Sequence, residues 1–182
     1  MDIHETYPKQ TWRNRFTILS GNGPVSLTAP VEKPHGNQTQ THQVVISDHA
    51  PWQKGHWASI YSAYRNAPFF LYYSDMVHEL IVNDTPKLLW KFNDRILQAL
   101  FMEWGRAYPI EYTSSFVSVD NQYLDLRFSI SPKPRERKGL EVPLFTPYYQ
   151  VFSDRSGFYP NASILDLLFN LGPDAVDYLM SV

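Results

Sequence analysis

The sequence predicts an α/β protein with three layers, in which a central mixed or mostly parallel sheet is flanked by helices and the C-terminal part is helical. Three observations support this fold class. Short segments in the first quarter of the chain have the alternating apolar pattern of strands. Longer segments in the middle repeat their apolar residues at three- and four-residue spacing, which is typical of helices. A β-branched and aromatic segment then follows the longest predicted helix, as a crossover between strands requires.

The composition predicts one soluble domain spanning residues 1–182. Hydrophobic residues make up 43% of the chain, which is enough to form a core. A net charge of −2 gives no general attraction to nucleic acid, and no apolar segment approaches the roughly 20 residues that cross a bilayer. The chain has no cysteine and starts without the pattern of a signal peptide. We therefore expect a cytoplasmic location and no membrane insertion.

The first quarter of the chain predicts a β-hairpin. Apolar and polar residues alternate at 11–19 and again at 25–31. The turn between these segments contains an Asn-Gly pair ending at Gly23, and this pair tolerates the positive φ of a tight reversal. A polar surface loop at 32–41 and a short buried strand at 43–46 follow.

The middle of the chain predicts three helices and a strand. Apolar side chains share one helical face at 52–67, 69–81 and 86–104, and Gly105 supplies a stop for the third helix. The β-branched segment at 110–117 is the strand that follows.

The C-terminal part predicts a further strand at 148–152 and two helices. Ser163 and Asp166 have the spacing of a capping box at the start of the first helix. A Gly-Pro pair beginning at Gly172 ends this helix and opens the next. Asp166 is therefore expected to have a structural role as the capping partner of Ser163. The alternative is a catalytic role, in which its carboxylate orients a reacting group.

Three cations near the start of the chain form a candidate binding face. Lys9, just before the predicted first strand, and Arg13 and Arg15 within it occupy odd-numbered positions, so on an extended chain they would share one side while Trp12 and Phe16 face the core. Arginine binds phosphate or carboxylate oxygens in pairs, which predicts a clamp for a nucleotide sugar or a carboxylated sugar. The alternative is an ordinary solvated strand face.

His56 is the candidate general base. It lies within the most strongly patterned helix, one turn after Trp52, which could stack on a ligand ring. A hydrogen-bonded structural histidine is the alternative. Arg65 is a candidate substrate ligand at the other end of the helix, but its offset of nine residues places it opposite His56.

Three further residues are candidates for substrate binding. Tyr73 and Tyr149 could stack on a sugar ring, with core packing as the alternative. Lys133 lies in a basic, proline-broken segment that could close over an anionic substrate or form a solvated loop.

We expect no metal site and no cofactor. Histidines recur every seven residues from His35 to His56, but Pro34 just before them and Gly36 and Pro51 between them prevent a continuous helix. The His and carboxylate spacings of zinc enzymes and the glycine motifs of nucleotide-binding folds are also missing.

Six ordered segments of the sequence resemble the WbqC-like protein family. They are KQTWRNR at 9–15, Trp52 with His56-Trp57, YRNAPFF with YY at 64–73, DLR at 125–127, YQVF with GF at 149–158, and SILDLLFN with GP at 163–173. The resemblance covers nearly the whole chain. Members of this family usually begin upstream of the first segment with a strand and a His-Gln-Pro-x-x-Leu-Pro-like turn. No equivalent is present here, which fits either a short subfamily or a start codon placed too far downstream.

The resemblance implies a bacterial protein of O-antigen-type surface-polysaccharide biosynthesis. Its implied reaction is the transfer of glycine or another acyl or aminoacyl group to an activated amino sugar. In the leading hypothesis Arg13 and Arg15 bind phosphate, Asn14 between them is a further substrate ligand, and His56 acts as base. The alternative is a non-catalytic sugar- or nucleotide-binding module that scaffolds a glycan pathway. Both hypotheses require a small-molecule partner, neither involves nucleic acid, and both are compatible with a homodimer.

Overall fold

The structure, a computed structural model, describes residues 1–8, 11–83, 85–118, 125–127 and 144–182. Contacts along the chain divide it into two units. Unit 1 contains Met1–Asn14, Pro30–Ser47 and Pro86–Val142, and unit 2 contains Arg15–Ala29, Asp48–Thr85 and Pro143–Val182. Each unit is therefore assembled from three separate stretches of sequence. The single domain expected for residues 1–182 stays a prediction.

The described residues contain short strands and mostly short helices. The strands are β1 (Arg15–Ser20), β2 (Gly23–Thr28), β3 (Val31–Glu32) and β4 (Val45–Ile46). The helices are α1 (Trp52–Tyr64), α2 (Phe70–His78), α3 (Leu89–Glu103), α4 (Ser153–Ser156), α5 (Ile164–Leu171) and α6 (Ala175–Ser181). A π-helical turn at Glu79–Asn83 continues α2, and 3₁₀ turns lie at Trp12–Asn14, Gly36–Gln38, Thr41–Gln43 and Gly172–Asp174. Among these helices, none combines the length and the apolar character needed to cross a bilayer.

Unit 2 begins with the predicted hairpin. β1 pairs with β2 antiparallel, and the last pair of the register joins Ser20 to Gly23. Gly23 has a φ of +105°, so the glycine of the Asn-Gly pair supplies the positive φ at the end of the turn. The hairpin prediction is therefore confirmed, although its first strand starts only at Arg15.

Aromatic side chains from α1, α2 and α5 fill the interior of unit 2. The ring of Phe169 lies 5.2 Å from that of Tyr64 and 5.0 Å from that of Phe70, and both Phe169 and Tyr64 are fully buried. The Tyr64 hydroxyl accepts a hydrogen bond from the Leu19 amide at 3.2 Å, which ties α1 to β1. Burying each such ring stabilises the fold by about 1.5–3 kcal/mol.

The two C-terminal helices are confirmed, together with the N-cap at Ser163 and the stop at Gly172. Ser163 Oγ accepts from the amide of Leu165 at the start of α5. Gly172 ends α5 with a φ of +57°. A Cβ at Gly172 would lie 2.5 Å from Cδ1 of Phe69, so the close approach of this ring also requires glycine.

In unit 1, the segment before α3 pairs with the small β3–β4 sheet. The Ile46 amide donates to the Lys87 carbonyl at 2.7 Å, and the Leu89 amide donates to the Val44 carbonyl at 3.0 Å. The buried side of α3 includes Leu89 and Phe92, as the periodicity predicts. Gly105, with a φ of +60°, follows its end.

The sheets differ from the prediction. Within the described residues both sheets are two-stranded and antiparallel, so the central, mostly parallel sheet is not found there. No strand forms at 110–117 or at 148–152. In the first segment Tyr112 packs its ring against Trp90 of α3, and in the second Gln150 turns inward to Asp166. Both segments have the composition of a strand, but their side chains contact helices and their backbones do not pair in a sheet.

The predicted strand at 11–19 is wrong in its first half. Trp12–Asn14 form a 3₁₀ turn, and the carbonyl of Arg13 accepts from Asn93 Nδ2 of α3 at 2.8 Å instead of from a neighbouring strand. Trp12, expected in the core, is 38% exposed. The cationic face predicted on one continuous strand therefore does not form.

Candidate functional site

His56 lies on the buried side of α1, between two aromatic rings of unit 2. Its ring is 4.8 Å from that of Trp52 and 5.9 Å from that of Phe16, with both contacts edge to face. The side chain is 8% exposed. The predicted proximity of Trp52 and His56 is confirmed, because residues four apart on a helix share a face.

The environment of His56 favours a neutral imidazole. Burial lowers the pKa of His56, and a backbone hydrogen bond at Thr28 acts in the opposite direction. Nδ1 of this ring is buried and has no hydrogen-bond partner within the described part of the chain. A neutral imidazole with one uncommitted nitrogen can accept a proton from a group that reaches it.

A cleft of about 380 Å³ lies between α1 and the β1–β2 hairpin. Its hydroxyl-bearing residues are Ser20, Ser59 and Ser62, and its apolar walls include Ile18, Val25 and Phe152. Ser59 follows His56 by three residues, so this wall of the cleft lies about one helical turn further along α1, and His56 itself does not line the cleft. Helix α1 therefore carries both the candidate base and one wall of the cleft.

Asp166 is fully buried in α5 of unit 2. Its Oδ2 accepts from the Tyr148 hydroxyl at 2.6 Å and from Gln150 Nε2 at 2.9 Å. Burial raises the pKa of Asp166, and these hydrogen bonds act in the opposite direction. Burial and the Asp166 carboxylate in turn raise the pKa of Tyr148, which keeps this hydroxyl protonated as a donor.

The capping-box role predicted for Asp166 is wrong. Its carboxylate binds Tyr148 and Gln150, while Oδ1 has no hydrogen-bond partner among the described residues. Gln150 also accepts from the amide of Tyr159 at 2.9 Å and donates to its carbonyl at 3.0 Å. Asp166 and Gln150 thus hold the backbone at Tyr159 next to α5. No pattern in the sequence indicates this hydrogen-bond network.

The other predicted ligands of unit 2 differ in accessibility. Tyr73 is 3% exposed and lies in the core, whereas Tyr149 is 52% exposed. Arg65 caps the C-terminal end of α1 and is exposed. Arg15, half-buried, pairs with Thr28 in the hairpin register, and its Nε is buried without a hydrogen-bond partner in the described residues.

Arg13 belongs to unit 1, where it neutralises a buried carboxylate. Its Nη2 forms an ion pair with Glu5 Oε1, and its Nη1 donates to Thr41 Oγ1 at 3.0 Å. Burial raises the pKa of Glu5, and Arg13 acts in the opposite direction. Glu5 Oε2 is buried and has no partner among the residues that the structure describes. The guanidinium that the sequence assigns to substrate is thus held by the protein itself.

Arg127, in the DLR segment that resembles the WbqC-like family, forms further ion pairs in unit 1. Arg127 lies 3.2 Å from Asp2 and 2.9 Å from Asp125. The charges of Asp2 and Arg127 also act on Glu5, so Asp2, Glu5, Arg13 and Arg127 form one cluster. Glu5 and Asp2 escape sequence reasoning because neither lies in a periodic segment or a motif.

The remaining predicted residues carry less structural information. Asn14 is half-buried in the 3₁₀ turn with Arg13. Lys9 and Lys133 lie outside the described residues. In the described part of the chain, no group of three or more histidine, aspartate or glutamate side chains is placed to hold a metal ion.

These features define a helix-rich protein with a histidine and a hydroxyl-lined cleft on the same helix. The chain belongs to the WbqC-like protein family, whose model matches residues 3–143. It is 28% identical, over 193 aligned residues, to the uncharacterized protein Rv1507c of Mycobacterium tuberculosis. The alignment covers 95% of this chain and 83% of that protein. No solved structure matches the chain. The predicted family is confirmed.

Proposed function

We propose that this protein is an enzyme of surface-polysaccharide biosynthesis that transfers an acyl or aminoacyl group, such as glycine, to the amine of an activated amino sugar. Membership of the WbqC-like family supports the polysaccharide role. The observation that carries the enzymatic proposal is the uncommitted Nδ1 of His56, one helical turn from a hydroxyl-lined cleft. A cytoplasmic location follows from the activated sugar as substrate and fits the cysteine-free chain.

In the proposed reaction His56 moves one proton. The sugar amine attacks the carbonyl carbon of an activated donor such as a thioester, and a C–N bond forms. His56 Nδ1 takes the proton that the amine loses and returns it to the leaving group as the bond between carbonyl carbon and leaving group breaks. A histidine whose pKa is lowered by burial is neutral at the start of this sequence, as a base must be.

The predicted substrate ligands differ in how well they suit that role. Trp52 contacts the imidazole and is half-buried, so it can also cover one side of a sugar ring. Arg15 is the better candidate for a phosphate ligand than Arg13, because Arg13 already pairs with Glu5. Exposed Tyr149 stays a candidate for stacking, whereas buried Tyr73 supports the core.

The test is a turnover assay with a matched histidine control. Purified protein is incubated with nucleotide amino sugars and with acyl or aminoacyl donors, and the product is read by mass spectrometry. We expect His56→Gln to lower the rate by roughly 10²–10⁴-fold, the usual contribution of a general base. His78→Gln is the control, since His78 also packs edge-on against a tryptophan, Trp57, at 4.9 Å. Equal rates for the two variants contradict the role of His56.

A second function, a non-catalytic sugar-binding module, is favoured by one observation. The nine residues that line the cleft contribute hydroxyl and apolar groups but no titratable side chain. Such a lining suits ligand binding without proton transfer. Sugar binding without a mass shift for any donor supports this module and rejects the transferase.

A further inference from the structure

A cation that the proposed reaction does not use lies at the rim of the cleft. Arg155 belongs to α4 and is exposed. Its Nη1 lies 4.0 Å from the position that a Cβ on Gly21 would take, and Gly21 lines the cleft. Within the described part of the chain its guanidinium has no ion pair or side-chain hydrogen bond. The five donors of this group are therefore available to a ligand.

The walls below Arg155 combine an aromatic ring with hydroxyl groups. Cε1 of Phe152 lies 3.4 Å from the same Cβ position on Gly21. Ser59 Oγ donates to the Gly55 carbonyl at 2.9 Å, and Ser20 Oγ donates to the Gly23 carbonyl at 2.8 Å. Both hydroxyls use their protons on the backbone, and Ser20 Oγ also accepts from the Asn22 amide at 3.3 Å. A hydroxyl oxygen has two lone pairs, so each oxygen keeps at least one for a hydroxyl group of a ligand.

We propose that the cleft binds a monosaccharide unit that carries a carboxylate or a phosphate. The anionic group pairs with Arg155, the apolar face of the ring lies against Phe152, and ring hydroxyls donate to Ser20 and Ser59. The cleft volume of about 380 Å³ is at the low end of small-molecule sites, which suits a single ring. This inference rests on the proposed function for its choice of a sugar, and it adds the anionic group and the residue that recognises it.

The first experiment measures binding without any acyl donor. Glucuronate, glucose 6-phosphate and glucose are titrated into the full chain, and affinities are taken from NMR shift changes. An exposed ion pair strengthens binding only a few-fold, so we expect one or both anions to bind roughly three- to fivefold more tightly than glucose. The two anions distinguish a carboxylate from a phosphate ligand. In Arg155→Gln this preference disappears, whereas Lys54→Gln, at an exposed lysine of the same unit, keeps it.

The second experiment narrows the cleft without removing a charge. Gly21 does not have a positive φ, so alanine is tolerated there, and its methyl group would stand between Phe152 and Arg155. We expect Gly21→Ala to weaken anion binding at least fivefold with an unchanged melting temperature. Gly55→Ala is the control, because a Cβ at Gly55 meets nothing within 4 Å.

The outcomes separate this inference from the proposed function. Equal affinity for glucose and both anions, no binding of any of the three, or full anion binding by Arg155→Gln overturns the Arg155 site. Each of these results leaves the turnover assay of His56 valid, since binding is measured without donor. Conversely, anion binding that depends on Arg155 in a protein without turnover supports the site and rejects only the transferase.

Discussion

At the residue scale, Asp166 is the clearest case of a side chain that changes stability with pH. The pKa of its carboxyl group is raised in the folded state, because burial opposes ionisation. A raised folded pKa gives a stabilising contribution that is complete below the unfolded pKa and is lost as pH rises through the folded pKa. Ionised Asp166 therefore weakens unit 2 at neutral pH relative to a neutral group of the same shape.

This predicts that Asp166→Asn melts at a higher temperature than the natural chain at pH 8, and that the difference disappears towards pH 4. The amide oxygen can accept the same bonds from Tyr148 and Gln150. Thermal unfolding followed by circular dichroism across this pH range measures the effect. Asp154→Asn, at an exposed position of unit 2, should show no such trend. A lower melting temperature for Asp166→Asn at pH 8 contradicts the prediction.

Arg13 supports a second prediction, in unit 1. Arg13→Met leaves the Glu5 carboxylate buried without its cation, and an unpaired buried charge costs about 3 kcal/mol or more. The double variant Arg13→Met with Glu5→Gln removes that charge and should recover a large part of the loss. Urea unfolding measures both values, with Arg106→Met at an exposed position of unit 1 as control. Equal stability of the single and double variants would show that Glu5 does not depend on Arg13.

The site residues show which single positions can be predicted from sequence. Trp52 and His56 are predictable because a helix fixes the relation of residues four apart. The orientation of Asp166 is not, since the capping-box spacing is the same whether the carboxylate points to Ser163 or to Tyr148. Glu5 has no local signal, because its partners come from residues 13 and 41.

At the element scale, Gly172 at the end of α5 has both a positive φ and a close contact with the Phe69 ring, and a pair of variants can separate the two effects. Gly172→Ala adds backbone strain at a φ of +57° and places a Cβ 2.5 Å from the Phe69 ring. Gly157→Ala adds strain at a φ of +72° with nothing within 4 Å. Strained backbone costs about 1–3 kcal/mol, so we expect Gly157→Ala to lose that amount and Gly172→Ala to lose at least about 1 kcal/mol more. Urea unfolding measures both, and equal losses contradict the contact with Phe69.

The elements differ in how well the sequence predicts them. Helices α1, α2 and α3 follow from periodicity, because a helix forms its backbone hydrogen bonds within one segment. Strands require a distant partner, and the segments at 110–117 and 148–152 make side-chain contacts to helices instead. Within α1 the buried residues are His56, Ile60, Ala63 and Tyr64, whereas Tyr61 is 47% exposed. Periodicity therefore locates this helix, but it does not tell which of its neighbouring aromatic side chains are buried.

At the scale of the whole molecule, the family match and the architecture divide the chain differently. The matched residues end at 143, but the interior of unit 2 is completed by α5, which supplies Phe169 to Tyr64 and Phe70. We expect the fragment 1–143 to lose the fixed packing of α1 and α2. Amide NMR spectra measure this, since resonances of residues 52–78 should collapse to unfolded shifts. Native shifts for these residues in the fragment contradict an essential role of α5.

The alternation between the two units also has a consequence for synthesis. The chain passes from one unit to the other at five points, the last of them between residues 142 and 143. While a ribosome is still translating the third quarter of the message, neither unit has all of its segments. Until Phe169 is synthesised, the rings of Tyr64 and Phe70 lack their contact with it and are exposed to solvent or to other nascent chains. Slow translation of the last quarter therefore prolongs the period in which the apolar faces of α1 and α2 are exposed to aggregation.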